Sequence, residues 1–110
     1  MLLKPLIWLG DSRKRIRSFP ARARVQAGFA LWTVQEGREP SDWKPMSSVG
    51  PGVQEIRVHA DGEYRVIYVA RFQEAVYVLH AFGKKTRRTS RLDLELARHR
   101  FGVLIGERKQ

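Results

Sequence analysis

The stretch 52–70, GVQEIRVHADGEYRVIYVA, followed by 75–85, AVYVLHAFGKK, decides the fold. It holds three short runs rich in β-branched and aromatic residues, at 53–59, 63–70 and 75–82, which read as strands. Asp61-Gly62 between the first two is a strong hairpin signal, because a tight two-residue turn needs positive φ at its centre. Gln73-Glu74 makes the next turn. Connections this short imply antiparallel neighbours.

Working outward, residues 2–9 read as a short strand with Ile7, Trp8 and Leu9 as its apolar part, ended by Gly10-Asp11-Ser12. Asp11 or Ser12 is placed to cap a short, very basic helix, RKRIRSF. Pro20 then opens a second helix over 21–36, since its missing N–H is an orphan in the first turn anyway. Val25, Phe29, Trp32 and Gln35/Glu36 recur there at helical spacing, widened by Ala27, Leu31 and Val34, and are expected to form the buried stripe. Arg22 and Arg24 are expected in solvent, and Gly37 suits the residue just past the helix end.

Residues 38–52, rich in Pro, Gly and Ser, read as a loop pinned by Trp43 and Met46. After the three strands, Thr89 or Ser90 can cap a last helix over 91–105, with the terminal GERKQ fraying. The expected order is β-α-α-β-β-β-α. That is an α+β domain spanning 1–110, with two N-terminal helices on one face of a small antiparallel sheet and a C-terminal helix.

Composition narrows the function. There are 110 residues, enough for one core without cross-links. With no cysteine, disulfide frameworks, thiolate nucleophiles and Cys-based zinc sites are excluded. Absence of cysteine fits the cytoplasm. No apolar run approaches the roughly 18–20 residues a membrane span needs, and the opening MLLKPLIWLGDSRKR, broken by Lys4 and Pro5, does not read as a signal peptide. Lys and Arg number 21 against 11 Asp and Glu, a net charge of +10. Most of the cations are Arg, which binds phosphate bidentately, so a polyanion or an acidic protein is the expected partner.

Alternation divides the strand side chains between two faces. Ile56 and Val58 fall opposite Glu55, Arg57 and His59, and Arg65 shares parity with Ile67 and Val69. His80 shares a face with Val76, Val78 and Phe82, while Lys84 and Lys85 emerge at the strand end. Pairing register decides whether Arg57, Arg65 and Lys85 converge. Each has a plain structural alternative. Arg57 can pair with Glu55 or Glu63, His80 can be a core histidine, and the run Lys84–Arg88 (KKTRR) can be a solvated loop. No His pair has metal-ligand spacing, and Gly50-Pro51-Gly52 lacks the lysine and helix of a phosphate loop.

The strings GVQEIRVHADGEYRVIYVA and VYVLHAFGKKTRRT, then a Leu-rich helix, together with DWKPM and WLGDSRKRIRSFP, resemble the RelE/HigB superfamily of toxins. The likeness is closest to its phage-derived HigB-like branch and covers nearly the whole chain. It implies a RelE/ParE toxin-like fold. It implies the toxin of a type II toxin–antitoxin pair, cleaving mRNA in the ribosomal A site without a cofactor or metal. In that chemistry the substrate's own 2′-OH attacks the adjacent phosphate.

Carried over residue by residue, Arg65 in YRV matches the strand arginine held to stabilise the phosphate. Lys84 and Lys85 match the basic pair ending the next strand, and Arg57 in EIR matches a basic strand position. Arg87 and Arg88 extend the substrate-binding cations, and His80 stands as a substitute proton-transfer group. RelE itself carries a base-stacking Tyr after the basic pair, whereas TRRTSRL here has none. The implied partners are a cognate antitoxin of helix-turn-helix type, the ribosome and mRNA, with no membrane. The competing readings are a ParE-like, non-catalytic inhibitor of DNA gyrase and, third, a plain basic RNA-binding module.

Overall fold

The computed structural model describes residues 3–109. The elements are β1 (Leu6–Trp8), α1 (Ser12–Arg17), α2 (Ala21–Gln35), β2 (Trp43–Pro45), β3 (Val53–His59), β4 (Glu63–Val69), β5 (Val76–Gly83) and α3 (Arg91–Arg108). Together they make an α+β domain of the RelE-like toxin type.

One five-stranded sheet runs β1-β5-β4-β3-β2. The three expected strands sit adjacent and antiparallel at its centre, and Asp61 and Gly62 both take positive φ in the β3–β4 turn. Two features go beyond the expectation. β1 pairs in parallel with β5, Leu6 against Val76, and its expected start at Leu2 lies outside the described residues. β2 forms inside the expected loop, where Trp43–Pro45 pairs with Gln54–Ile56 before the proline ends the ladder. Both edge strands are three residues long, which leaves little edge to recruit another chain.

α1 and α2 cover one face of the sheet and α3 the other. The buried side of α2 is Ala23, Ala27, Leu31 and Val34, packed on Ile56, Val58 and Val66. The expected stripe is therefore corrected: Val25, Phe29 and Trp32 point outward. The two alanines let the helix backbone approach the flat strand surface, which bulkier side chains would hold off. Gly37 follows the helix with φ +83°, as expected of its position.

At the ends of the other helices the side chains are used differently from the expectation in two places. Neither Asp11 nor Ser12 makes a capping hydrogen bond to α1; the Ser12 hydroxyl donates to the Val78 carbonyl instead. Ser90 does cap α3, accepting from the Asp93 N–H at 3.1 Å. α3 then runs through Arg108, so residues expected to fray are helical, with Arg108 paired to Glu74 and stacked on Phe72.

One irregularity shapes the functional face. Ile67 pairs with His80 while the next residue, Tyr68, pairs with Val78, leaving Leu79 as an extra residue in β5. This β-bulge resets the alternation. Leu79, His80 and Phe82 all face α3, whereas Val76, Val78 and Ala81 face α2, so the expected shared face of His80 with Val76 and Val78 is corrected.

Candidate functional site

On the α3 face, pairing register brings the expected cations together. Arg57 on β3 lies directly opposite Arg65 on β4, and Arg65 lies opposite Phe82 on β5. One row further along, Lys44 on β2 faces Glu55 on β3. Gly83 pairs with Tyr64, and the Lys84 N–H donates to the Glu63 carbonyl at 2.7 Å. That bond starts the basic loop at the end of the same row.

Two like charges directly opposite on a sheet repel, so this arrangement needs an anion between them. Glu55 supplies it from a side chain only 3% exposed. Its Oε1 accepts from Arg57 Nε at 3.4 Å and lies 3.8 Å from Arg65 Nε. Arg65, 7% exposed, also donates to the Tyr64 carbonyl at 2.9 Å and to Glu63 at 3.2 Å. Arg65 is thus fixed in orientation by three groups. Arg57, 31% exposed, keeps the free end of its guanidinium toward solvent. The second Glu55 oxygen, Oε2, is buried with no hydrogen-bond partner among the described residues.

Above this floor lie two adjoining shallow grooves. Lys44, Glu55, Arg57, Lys84, Arg87 and Arg88 are among the residues lining one, and Glu63, Arg65, Lys84, Lys85 and Arg87 line most of the other. Lys84 and Arg87 belong to both. The Thr86 hydroxyl donates to the Arg88 carbonyl at 2.7 Å and shapes the loop that carries these cations. The loop leads straight into α3, whose N-terminal dipole adds positive potential at the same end.

His80 lies beneath this surface, fully buried and outside both grooves. Its Nε2 is 2.7 Å from Asp93 Oδ1, and its Nδ1 is 3.3 Å from Arg100 Nη1. A guanidinium can only donate, so Nδ1 is the acceptor and Nε2–H donates to Asp93, which is the neutral tautomer. Burial holds its pKa below the ordinary histidine value, against the opposing pull of Asp93. Arg100 continues the chain to Asp11 at 2.9 Å. Hydrogen bonding from Arg15 first, with Arg100 contributing, draws the Asp11 pKa down to about 2. The run Asp93–His80–Arg100–Asp11–Arg15 thereby ties α3, β5 and α1 together.

The structure therefore brings Arg57, Arg65, Lys84, Lys85, Arg87 and Arg88 to one face and puts His80 under it. Sequence reasoning missed Lys44, which joins the site only because β2 forms. The expected pairing of Arg57 with Glu55 is present, and what the sequence reading did not give is that the same carboxylate also faces Arg65. Glu55 was legible as parity, since residues 55 and 57 share a face in any strand.

A sheet with α1 and α2 behind it and α3 in front is compatible with a RelE-like toxin fold. Residues 14–102 match the phage-derived Gp49-like protein family (DUF891), and the chain belongs to that family. The family is associated with the toxins of toxin–antitoxin systems, and membership implies an antitoxin partner. No curated protein matches the chain. Among the described residues, no helix is long and apolar enough to cross a membrane.

Proposed function

We propose that this toxin is a ribosome-dependent mRNA endonuclease of the HigB-like kind, acting in the cytoplasm and inhibiting translation. The observation that carries the reading is the convergence of Arg57, Arg65, Lys84 and Lys85 around one strand-end cleft. When the substrate 2′-OH attacks the adjacent phosphate, charge accumulates on the non-bridging oxygens, and the 5′-oxygen leaves with a proton taken from a cleft lysine to give a 2′,3′-cyclic phosphate and a 5′-hydroxyl. Preorganised cations act on that developing charge. Arg65, held rigid by Glu63, Glu55 and the Tyr64 carbonyl, faces the phosphate, with Lys84 and Lys85 beside it. Arg57, Arg87 and Arg88 grip the flanking strand, joined by Lys44.

Arg and Lys are poor proton acceptors. A phosphate that draws Arg57 away from Glu55 uncovers a carboxylate at the cleft floor, which takes the 2′-OH proton. His80 is a positioning residue in this account: through Asp93 it fixes the start of α3 and hence the basic loop.

The test is primer extension on a reporter mRNA during brief induction of the gene alone. Discrete cuts in translated frames support the reading. Intact mRNA accompanied by DNA damage contradicts it and points instead to inhibition of gyrase. An Arg57→Ala/Lys85→Ala pair should abolish the cuts and restore growth.

A further inference from the structure

Near the end of β4 stands a tyrosine whose hydroxyl the fold leaves unused. Tyr68 is fully buried, and its Oη has no hydrogen-bond partner among the described residues. A buried hydroxyl costs stability until it is hydrogen-bonded. Tyr68 lies across from Gln54 on β3 and lines a groove of about 340 Å³ on the α2 side of the sheet. Lys4, Arg38, Glu39 and Arg71 stand around it, with Val34 and Ala70 as apolar wall. It shares no lining residue with the cationic cleft, which opens at the other ends of β3 and β4.

The groove mostly gives hydrogen bonds rather than receives them. The carbonyls that end α2, those of Trp32, Thr33, Val34 and Gln35, already accept from the N–H groups of Glu36, Arg38, Gly37 and Lys4. Each cation is pinned by part of its side chain and keeps donors to spare. Lys4 Nζ donates to the Ala70 and Phe72 carbonyls at 2.6 and 2.9 Å. Arg71 Nε donates to the Pro51 carbonyl at 3.2 Å, with its guanidinium over the Phe72 ring. Gly52, with φ +77°, lets Arg71 cross it, since a Cβ there would collide with that side chain. Arg38 is held by Glu36 at 2.6 Å. Burial first, and the Glu39 charge second, raise the Tyr68 pKa, so the hydroxyl keeps its proton and donates.

We propose that this groove binds a nucleoside 5′-monophosphate, with the phosphate between Arg38 and Arg71 at the mouth and an acceptor on the base taking the Tyr68 hydrogen bond at the floor. Two guanidiniums match the bidentate geometry of a phosphate. A bare ion held at that mouth would leave the floor hydroxyl unmet. Glu39, the one carboxylate among the lining residues, suits a ribose hydroxyl, which donates to it. The Gln54 amide offers both a donor and an acceptor to a base edge. The volume lies at the small end of small-molecule sites, the size of one nucleotide. Binding here is independent of the nuclease reading.

The test titrates the full chain with 5′-AMP, adenosine and inorganic phosphate, followed by calorimetry and thermal unfolding. 5′-AMP should bind and raise the unfolding temperature, as a ligand of the folded state does. Adenosine and inorganic phosphate should each bind at least about 10-fold more weakly. Tyr68→Phe should weaken 5′-AMP binding by about 10-fold, yet leave the ligand-free protein at least as stable as the parent, because it deletes a hydroxyl that is costly while unpaired. Arg38→Ala, at an exposed position, should weaken binding by a similar factor and unfold at the parental temperature. Lys85→Ala, in the cleft, should bind 5′-AMP as the parent does. No binding by the parent, or parental affinity in both Tyr68→Phe and Arg38→Ala, overturns the proposal. Inorganic phosphate binding as tightly as 5′-AMP overturns it by reducing the groove to an ion site. Loss of binding in Lys85→Ala instead would place the nucleotide in the cleft. A ligand-free Tyr68→Phe protein less stable than the parent would show that the hydroxyl is already satisfied within the fold, and would overturn it as well.

Discussion

Arg57 and Arg65 sit directly opposite each other across β3 and β4, and the Glu55 carboxylate lies within 3.4 Å of the first and 3.8 Å of the second. The pairing concentrates positive charge where the sheet meets the basic loop, and it persists because a buried anion lies beneath it. Function and stability therefore depend on the same three side chains, in opposite ways.

Removing the anion exposes that opposition. Glu55→Gln leaves two facing guanidiniums without their counter-charge, one of them nearly buried. The expected loss is about 2 kcal/mol, less than the roughly 3–5 kcal/mol of a fully buried pair because Arg57 is partly solvated, or roughly 8–12 °C in Tm for a domain of this size. The double variant Glu55→Gln/Arg57→Gln should recover part of that loss. Thermal unfolding of the parent, Glu55→Gln, Arg57→Gln and the double variant checks it; a double variant as unstable as the sum of the singles would show that the charges are not coupled.

Two histidines give the fold opposite responses to pH. His80 has a pKa held down in the folded state, chiefly by burial. The unfolded chain then binds the extra proton first, so the contribution is present above the unfolded value of about 6.5 and declines as pH falls below it. His59 bridges Glu63 and Asp42 and has a raised pKa, chiefly through its hydrogen bond to Glu63. Its contribution is present at about pH 6.5 and below and is lost as pH rises through the folded value. Urea unfolding at pH 5.5 and 8.5 separates them. His80→Gln should flatten the acid-side decline, and His59→Gln should reduce the parent's advantage at pH 5.5 more than at pH 8.5. Identical pH profiles for all three proteins would contradict both assignments.

Lys44 enters the site only through β2, so its role tests the register of that strand. Binding of single-stranded RNA should weaken with salt, and each cation that neutralises a phosphate contributes about 0.7 to the log–log slope. Lys44→Ala, Arg87→Ala and Arg88→Ala should each reduce the slope by about that amount. Arg24→Ala, on the opposite helical layer, should leave it unchanged. Fluorescence anisotropy across a salt series measures all four. An unchanged slope for Lys44→Ala would remove it from the interface.

How much of this was legible in the sequence varies with the range of the interaction involved. The central strands and the Asp61-Gly62 hairpin follow from local alternation and turn chemistry, and residues 53–59 form β3 as read. The bulge at Leu79 does not, because it is a property of β5 against β4 rather than of either strand alone. With it went the face assignment of His80. The stripe on α2 misled for a related reason: periodicity identifies apolar faces, but close packing on a sheet selected the one with Ala23 and Ala27 over the one with Phe29. The cations of the site were visible as a run and a parity pattern. Their long-range fixings were not, since Arg100 reaches Asp11 and Asp93 reaches His80 only after three elements have packed.

The central claim is that the cleft acts on the reaction rather than merely holding RNA. Single-turnover cleavage of mRNA on programmed ribosomes, at saturating protein, isolates that step from docking. Lys85→Ala, at an exposed position, and Arg65→Lys, which keeps the charge but loses the planar fork, are compared with the parent. The account predicts a rate lower by about 100–1,000-fold for Lys85→Ala, by analogy with removal of one oxyanion donor, and a clear loss for Arg65→Lys, neither restored by more protein. Cleavage by both variants at the parental rate under saturation would contradict it and reduce the cleft to a docking surface.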